Sequence, residues 1–149
     1  MSKGRILAID YGEKNLGLAI SDTSKVFAGP WGKIVRENFE SDFNKIECLI
    51  QEQEIEEIVI GLPKNLDGSL GEKARETIIF TKELKNFLSK KKLSLPVVFW
   101  DERLTSKEAE KVLLSANLSR KKRKDVRDQI AACLILQNYL ERSTMRIKR

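Results

Sequence analysis

The chain has 149 residues, 41% apolar and 34% charged, which suits one globular domain, residues 1–149, large enough for a sizeable core. It contains no histidine, so Ser-His-Asp triads, Cys-His pairs and His-ligated zinc are excluded, and any hydrolysis falls to carboxylates, metals, Lys or Tyr. The net charge of +6 is divided unevenly: residues 1–118 hold 18 basic and 19 acidic side chains (net −1), and residues 119–149 hold 10 and 3 (net +7). No stretch approaches the roughly 18 apolar residues of a membrane span. Met1 leads into Lys3, Arg5 and a strand-like run rather than a signal peptide, so a soluble, cytoplasmic protein with no membrane partner is expected.

In chain order, Arg5 to Ile9 is an apolar run ending at Asp10, and Leu16 to Ile20 is a second; the Gly-containing turn between them predicts a hairpin. A third strand is expected within Val26 to Val35, bent by Gly29, Pro30 and Gly32. Phe39, Phe43, Ile46 and Ile50 then fall at helical spacing. Glu57 to Gly61 reads as a β-branched strand, Leu62 to Gly68 as a loop, and Glu72 to Lys90 as a helix with Phe80, Leu84, Phe87 and Leu88 inward. Pro96 to Trp100 is the last strand and runs into Asp101-Glu-Arg-Leu104. Thr105 to Glu108 has capping-box spacing for a further helix, and Asp125 is a good N-cap for a final one reaching about Glu141. Cys48 and Cys133 lie in apolar segments far apart, which predicts reduced core thiols.

The order β-β-β-α-β-α-β-α-α predicts an α/β fold: one mixed five-stranded sheet, antiparallel through a β1-β2-β3 meander and parallel at β1, β4 and β5, with helices on both faces. In such sheets ligands collect at the carboxyl ends of the strands. Asp10 ends the first strand, Glu102 lies just past the fifth, and Asp128 begins the last helix on the stripe continued by Ala131, Ala132, Ile135, Leu136 and Tyr139. Each has a plainer explanation: a turn residue for Asp10, an ion pair with Arg103 for Asp101 or Glu102, the helix dipole for Asp128. Their coincidence at one edge favours a site. Like charges gathered there need a cation between them, and Mg²⁺ or Mn²⁺ accepts an all-oxygen, histidine-free site while binding substrate phosphates. The basic run Arg120, Lys121, Lys122, Arg123 and Lys124 precedes Asp128 and forms a phosphate-binding footprint or a solvated loop. Carboxylates with metals beside such a patch point to phosphodiester hydrolysis in a nucleic acid.

Four segments carry a specific resemblance: Ala8 to Asp22, Ile58 to Pro63 with Asp67-Gly68 and Gly71, Asp101 to Thr105, and Asp128 to Leu140. In this order they resemble the four blocks of the YqgF/RuvX family and cover most of the chain. The resemblance implies the RNase H-like fold of Holliday junction resolvases, and an activity maturing the 5′ end of pre-16S rRNA within the small-subunit precursor. It maps the family's acids onto Asp10, Glu102 and Asp128; on the favoured reading, a metal-dependent endonuclease, Asp10 would bridge two metals and the other two would each complete one site. Asn15 stands where the family often has Arg, so of the first block's basic contacts only Lys14 is expected here, with Arg103 beside the second acid. The remaining readings are a Holliday junction resolvase acting on branched DNA, a non-catalytic rRNA-binding assembly factor that would use the basic run equally well, and an ATP-binding domain. The last generally needs two such domains, and this chain has room for one.

Overall fold

The structure, a computed structural model, describes residues 4–105 and 127–147, with the side chains of the last segment described from 129 to 143. Five strands, β1 (Arg5–Asp10), β2 (Asn15–Ser21), β3 (Ala28–Val35), β4 (Ile55–Leu62) and β5 (Val97–Asp101), form one sheet in the order β3-β2-β1-β4-β5. β1 pairs antiparallel with β2, and β2 with β3, while β1/β4 and β4/β5 are parallel. The helices are α1 (Phe39–Glu52), α2 (Glu72–Lys90) and α3 (Arg127–Ile147), and a 3-10 turn spans Glu102–Leu104. The expected mixed sheet is therefore present. The helix predicted after Thr105, the basic run and the Asp125 cap lie outside the described residues.

Strand alternation sorts the core into two layers. Leu7 and Ile9 of β1 and Ile58 and Ile60 of β4 pack with Phe43 and Ile46 of α1 and Phe80 and Leu84 of α2. On the other face, Ile6 and Ala8 of β1, Ala19 of β2, Val59 of β4 and Trp100 of β5 pack under Ala132, Cys133, Ile135, Leu136 and Leu140 of α3. Ala8 and Ala19 are fully buried beneath this helix; their small side chains let its backbone approach the middle of the sheet. Gln137 then clips α3 to the edge, accepting from Ala28 N (2.9 Å) and donating to Val26 O (3.1 Å).

Several expectations need correction. Cys133 is buried, and burial pushes its thiol up to about 12, but Cys48 is exposed. The cause is helical phase: Cys48 lies two residues from both Ile46 and Ile50, about 200° around α1 from each. Phe39, placed inward by spacing, is 38% exposed and stacks on Phe43 at 5.4 Å, because it opens the helix at its free end. The bend in β3 is a bulge: Leu18 faces Gly32 and Ala19 faces Pro30, leaving Trp31 unpaired, with Gly32 at φ +113°. α3 runs to Ile147, six residues beyond the expected end. Among the described residues no helix is long and apolar enough to cross a membrane.

Candidate active site

Three positions share the α3 face of the sheet at the carboxyl ends of β1, β4 and β5. Asp10 follows Ile6 and Ala8 at alternate positions of β1, Gly61 follows Val59 on β4, and Glu102 follows Trp100 past the end of β5. The register brings them together: Ile9 pairs with Ile60 and Gly61 with Trp100, so Gly61 stands in the strand between the two acids. Its lack of a side chain is what opens the space. A Cβ built on Gly61 would overlap Ile135 Cδ1 and stand 2.6 Å from Glu102 Oε1. The Glu102 carboxylate thus lies over the backbone of β4 and reaches toward β1.

Electrostatics agree with this placement. Burial raises the Asp10 carboxyl above its ordinary value, and the charge of Lys73 partly offsets the rise. Glu102 is raised by burial first, then by the charge of Asp10 and more weakly of Asp101, with Lys73 again opposing. Among the described residues, the cation whose charge acts on both acids is Lys73, in the first turn of α2. Sequence reasoning passed over it because nothing in the α2 pattern marks a lysine on an exposed first turn; only the return of α2 to this edge gives it meaning.

The neighbouring acid behaves differently. Asp101 caps the 3-10 turn, accepting from Arg103 N at 3.0 Å, and its two oxygens take Arg103 Nε (3.1 Å to each) and Nη2 (2.7 Å). Arg103 holds the Asp101 carboxyl below its usual range. The ion pair that could have explained either acid thus belongs to Asp101 and leaves Glu102 for the site. Arg103 also donates from Nη1 to Leu66 O at 3.4 Å, tying the loop after β4 to this edge. That loop is braced internally by Gly68 N to Asn65 O (2.8 Å) and by the Asp67 carboxylate, which accepts from Ser69 N (2.9 Å) and Ser69 Oγ (2.6 Å). Lys14, in the β1-β2 turn, is exposed to solvent.

The third expected acid, Asp128, is the second residue of α3, and its side chain lies outside the described residues. The direction of α3 does follow from its contacts. Ile135 meets Gly61 at the carboxyl end of β4, and Tyr139 donates to Glu57 Oε1 (3.1 Å) near its start, so α3 runs antiparallel to β4. Its first turn accordingly stands at the edge that carries Asp10 and Glu102. Arg120, Lys121, Lys122, Arg123 and Lys124 lie outside the described residues.

Two partly buried carboxylates gathered on a backbone cradle are oxygen donors of the kind that Mg²⁺ or Mn²⁺ accepts. Burial raises the proton affinity of both, and the charge of Asp10 adds to the rise at Glu102; a bound cation would oppose it.

Comparisons with known proteins agree with the fold and show the family. Among solved structures, Thermus thermophilus RuvC in complex with a Holliday junction substrate matches 95% of this chain and 97% of its own with a TM-score of 0.60 at 13% identity. The fowlpox virus resolvase, also solved with Holliday junction DNA, matches 93% and 97% with a TM-score of 0.51 at 14% identity. At these identities the likeness speaks for the fold, that of the RNase H-like resolvases. Curated relatives from Halothermothrix orenii (48% identical over 91% of this chain and 94% of the relative) and Thermoanaerobacter pseudethanolicus (44% over 92% and 96%) carry the name "Putative pre-16S rRNA nuclease". The family model RuvX, described as Holliday junction resolvase, matches residues 4–142. With the model spanning nearly the whole described chain and relatives close to half identical, this chain belongs to the RuvX family.

Proposed function

We propose that the chain is a divalent-metal-dependent endonuclease that hydrolyses phosphodiesters in pre-16S rRNA, working as one nuclease domain in the cytoplasm on the small-subunit precursor. The observation that carries this reading is the pair Asp10 and Glu102, brought together over Gly61 and both raised in proton affinity. Relatives sharing 40–48% identity and named for that substrate support the choice of RNA. A second reading, cleavage of branched DNA, is favoured by the description of the family model and by the fold shared with RuvC.

In the proposed reaction Asp10, Glu102 and Asp128 would hold Mg²⁺ or Mn²⁺. When bound, the metal supplies the positive charge that makes water a nucleophile near neutral pH and steadies the leaving oxygen. The protein's own part is to hold the carboxylates close and partly shielded from water, while the charge of Lys73 opposes the rise in their proton affinity. Lys14, Arg103 and the run Arg120 to Lys124 would attract the flanking phosphates by charge, Arg103 while its guanidinium stays paired with Asp101. No side-chain general base is required.

The test is cleavage of a 16S precursor with its 5′ leader and, in parallel, of a four-way DNA junction, each with Mg²⁺, Mn²⁺, Ca²⁺ or EDTA. The precursor should be cut in Mg²⁺ or Mn²⁺, with little turnover in Ca²⁺, whose looser coordination positions water poorly. Undiminished cleavage in EDTA would remove the metal from the mechanism, and cleavage of the junction alone would transfer the activity to DNA.

The basic run gives a separate expectation. If its side chains contact phosphates, each contact contributes a salt slope of roughly −0.7 to −0.9. Replacing Arg120, Lys122 and Lys124 with Ala should flatten the slope of log K against log salt by about 2 to 3 units and weaken all substrates alike, with turnover at saturation falling far less than in Asp10→Asn. Filter binding across a salt series reads this directly, and an unchanged slope would assign the run to a solvated loop.

A further inference from the structure

We propose that Arg36, oriented by Asp42, is a positioning residue that fixes the β1-β2 turn and thereby the Asp10 carboxylate; the inference rests on the nuclease reading of that carboxylate. Among the described residues no hydrogen bond is made by the Asp10 side chain itself, so its direction depends on the backbone on both sides: β1, paired with β2 up to Asp10 and Gly17, and the turn that follows. That turn, residues 11 to 14, is held from β3 and the chain just after it. Arg36 N donates to Lys14 O at 2.9 Å. The Arg36 guanidinium donates from Nη1 to Tyr11 Oη at 2.8 Å and to Gly12 O at 3.3 Å. One residue thus grips the turn at three points, on either side of the tight bend where a Cβ on Gly12 would overlap Asn15 O.

The guanidinium is itself held. Its Nε faces Asp42 Oδ2 at 3.4 Å, and Asp42, wholly buried at the start of α1, also accepts from Glu37 N at 3.1 Å through Oδ1. The cation lies 4.8 Å from the Tyr11 ring centroid, 5.7 Å from that of Phe80 and 5.9 Å from that of Phe39. Tyr11 and Phe80 are in turn 5.3 Å apart, which connects the turn to α2, the helix bearing Lys73. An apolar side chain could fill this aromatic setting, and buried ion pairs seldom stabilise more than a well-packed apolar replacement. What a guanidinium adds is direction, since its planar fork fixes several acceptors at set angles. Among the described residues, its acceptors other than Asp42 belong to the turn that follows Asp10.

Groups that orient a metal-holding carboxylate without touching the metal commonly change metal affinity or activity by 10–100-fold when altered. Arg36→Lys keeps a cation for Asp42 but loses the fork, and Tyr11→Phe removes one acceptor while keeping the ring. The experiment measures kcat and KM on the 16S precursor, Mn²⁺ binding by paramagnetic resonance without substrate, and thermal midpoints, with Asp10→Asn alongside. Arg36→Lys should lower kcat by about 10–100-fold with KM within about 3-fold, and weaken Mn²⁺ binding several-fold; Tyr11→Phe should lower kcat by about 3- to 10-fold. If Arg36→Lys fails to fold, Tyr11→Phe carries the test alone. A folded variant with a lower midpoint but wild-type kcat and Mn²⁺ affinity would make the cluster structural only and overturn the proposal. Full activity in Asp10→Asn would overturn the nuclease site and the clamp together, whereas an inactive Asp10→Asn beside a wild-type Tyr11→Phe would overturn the clamp alone.

Discussion

Asp10→Asn and Glu102→Gln should each lower turnover by on the order of 10³-fold or more, because each removes a charge worth several kcal/mol to the metal and the developing transition state while changing little volume. Folding should respond in the opposite sense. Burial raises both carboxyls in the native state above their ordinary values of 3.8 and 4.5. The native state therefore holds its protons to higher pH than the unfolded chain does, so the stability these groups contribute is present below the unfolded values and is lost as pH rises through the raised native ones. In metal-free buffer the wild type should accordingly lose stability relative to the Asn and Gln variants from about pH 4 upward, and each variant should be at least as stable at neutral pH. Added Mn²⁺ should stabilise the wild type and leave the variants nearly unmoved. Thermal midpoints across a pH series, with and without Mn²⁺, check both signs; a wild type that gains stability over the variants as pH rises in the absence of metal would contradict the burial of these acids. Asp22→Asn is the control, since Asp22 Oδ1 accepts from Val26 N and Phe27 N in a turn where its charge serves no metal.

Gly61→Ala should be as damaging to activity, for a steric reason. The new methyl group would displace the Glu102 carboxylate, from which it would stand 2.6 Å, and press on Ile135 of α3. A carboxylate can rotate away at little cost, whereas Ile135 is 2% exposed and belongs to a packed layer. Overpacking of that kind costs about 1–3 kcal/mol. Turnover should fall at least about 100-fold, since misplacement by an ångström at a reacting centre costs that much. Combining Gly61→Ala with Ile135→Val relieves the contact with α3 but not the one with Glu102. The double variant should recover much of the thermal midpoint and little of the activity. Recovery of both in parallel would show that Gly61 serves packing and not the carboxylate.

Much of this molecule is local in origin and so was legible in the chain. Arg5 to Asp10 and Val97 to Asp101 announce themselves as short apolar runs ending in an acid, and α2 matches its expected bounds of Glu72 and Lys90 because a 3.6-residue pattern nineteen residues long admits little ambiguity. Strand order followed from the alternation of elements, and with it the edge where Asp10 and Glu102 end. The face was not legible, since Arg5 to Ile9 is an unbroken apolar run; packing shows that Asp10 shares the α3 face with Ile6 and Ala8.

What the chain alone left open were the facts that depend on residues distant in sequence. Whether Asp101 or Glu102 pairs with Arg103 depends on a 3-10 turn that aims the guanidinium at one and leaves the other to cross over Gly61. That glycine looks like an ordinary strand end until β5 and α3 are both packed against it. Lys73 is an unremarked lysine until α2 returns to the strand ends, and Arg36 and Asp42 form an unremarked pair of charges until α1 folds against the β1-β2 turn. Cys48 differed from its expected burial by half a helical turn, a difference in phase that composition does not register. Local pattern determined which residues end strands; tertiary packing decided which charges meet, because electrostatic and hydrogen-bond partners are set by distances across elements that no run of neighbouring residues encodes.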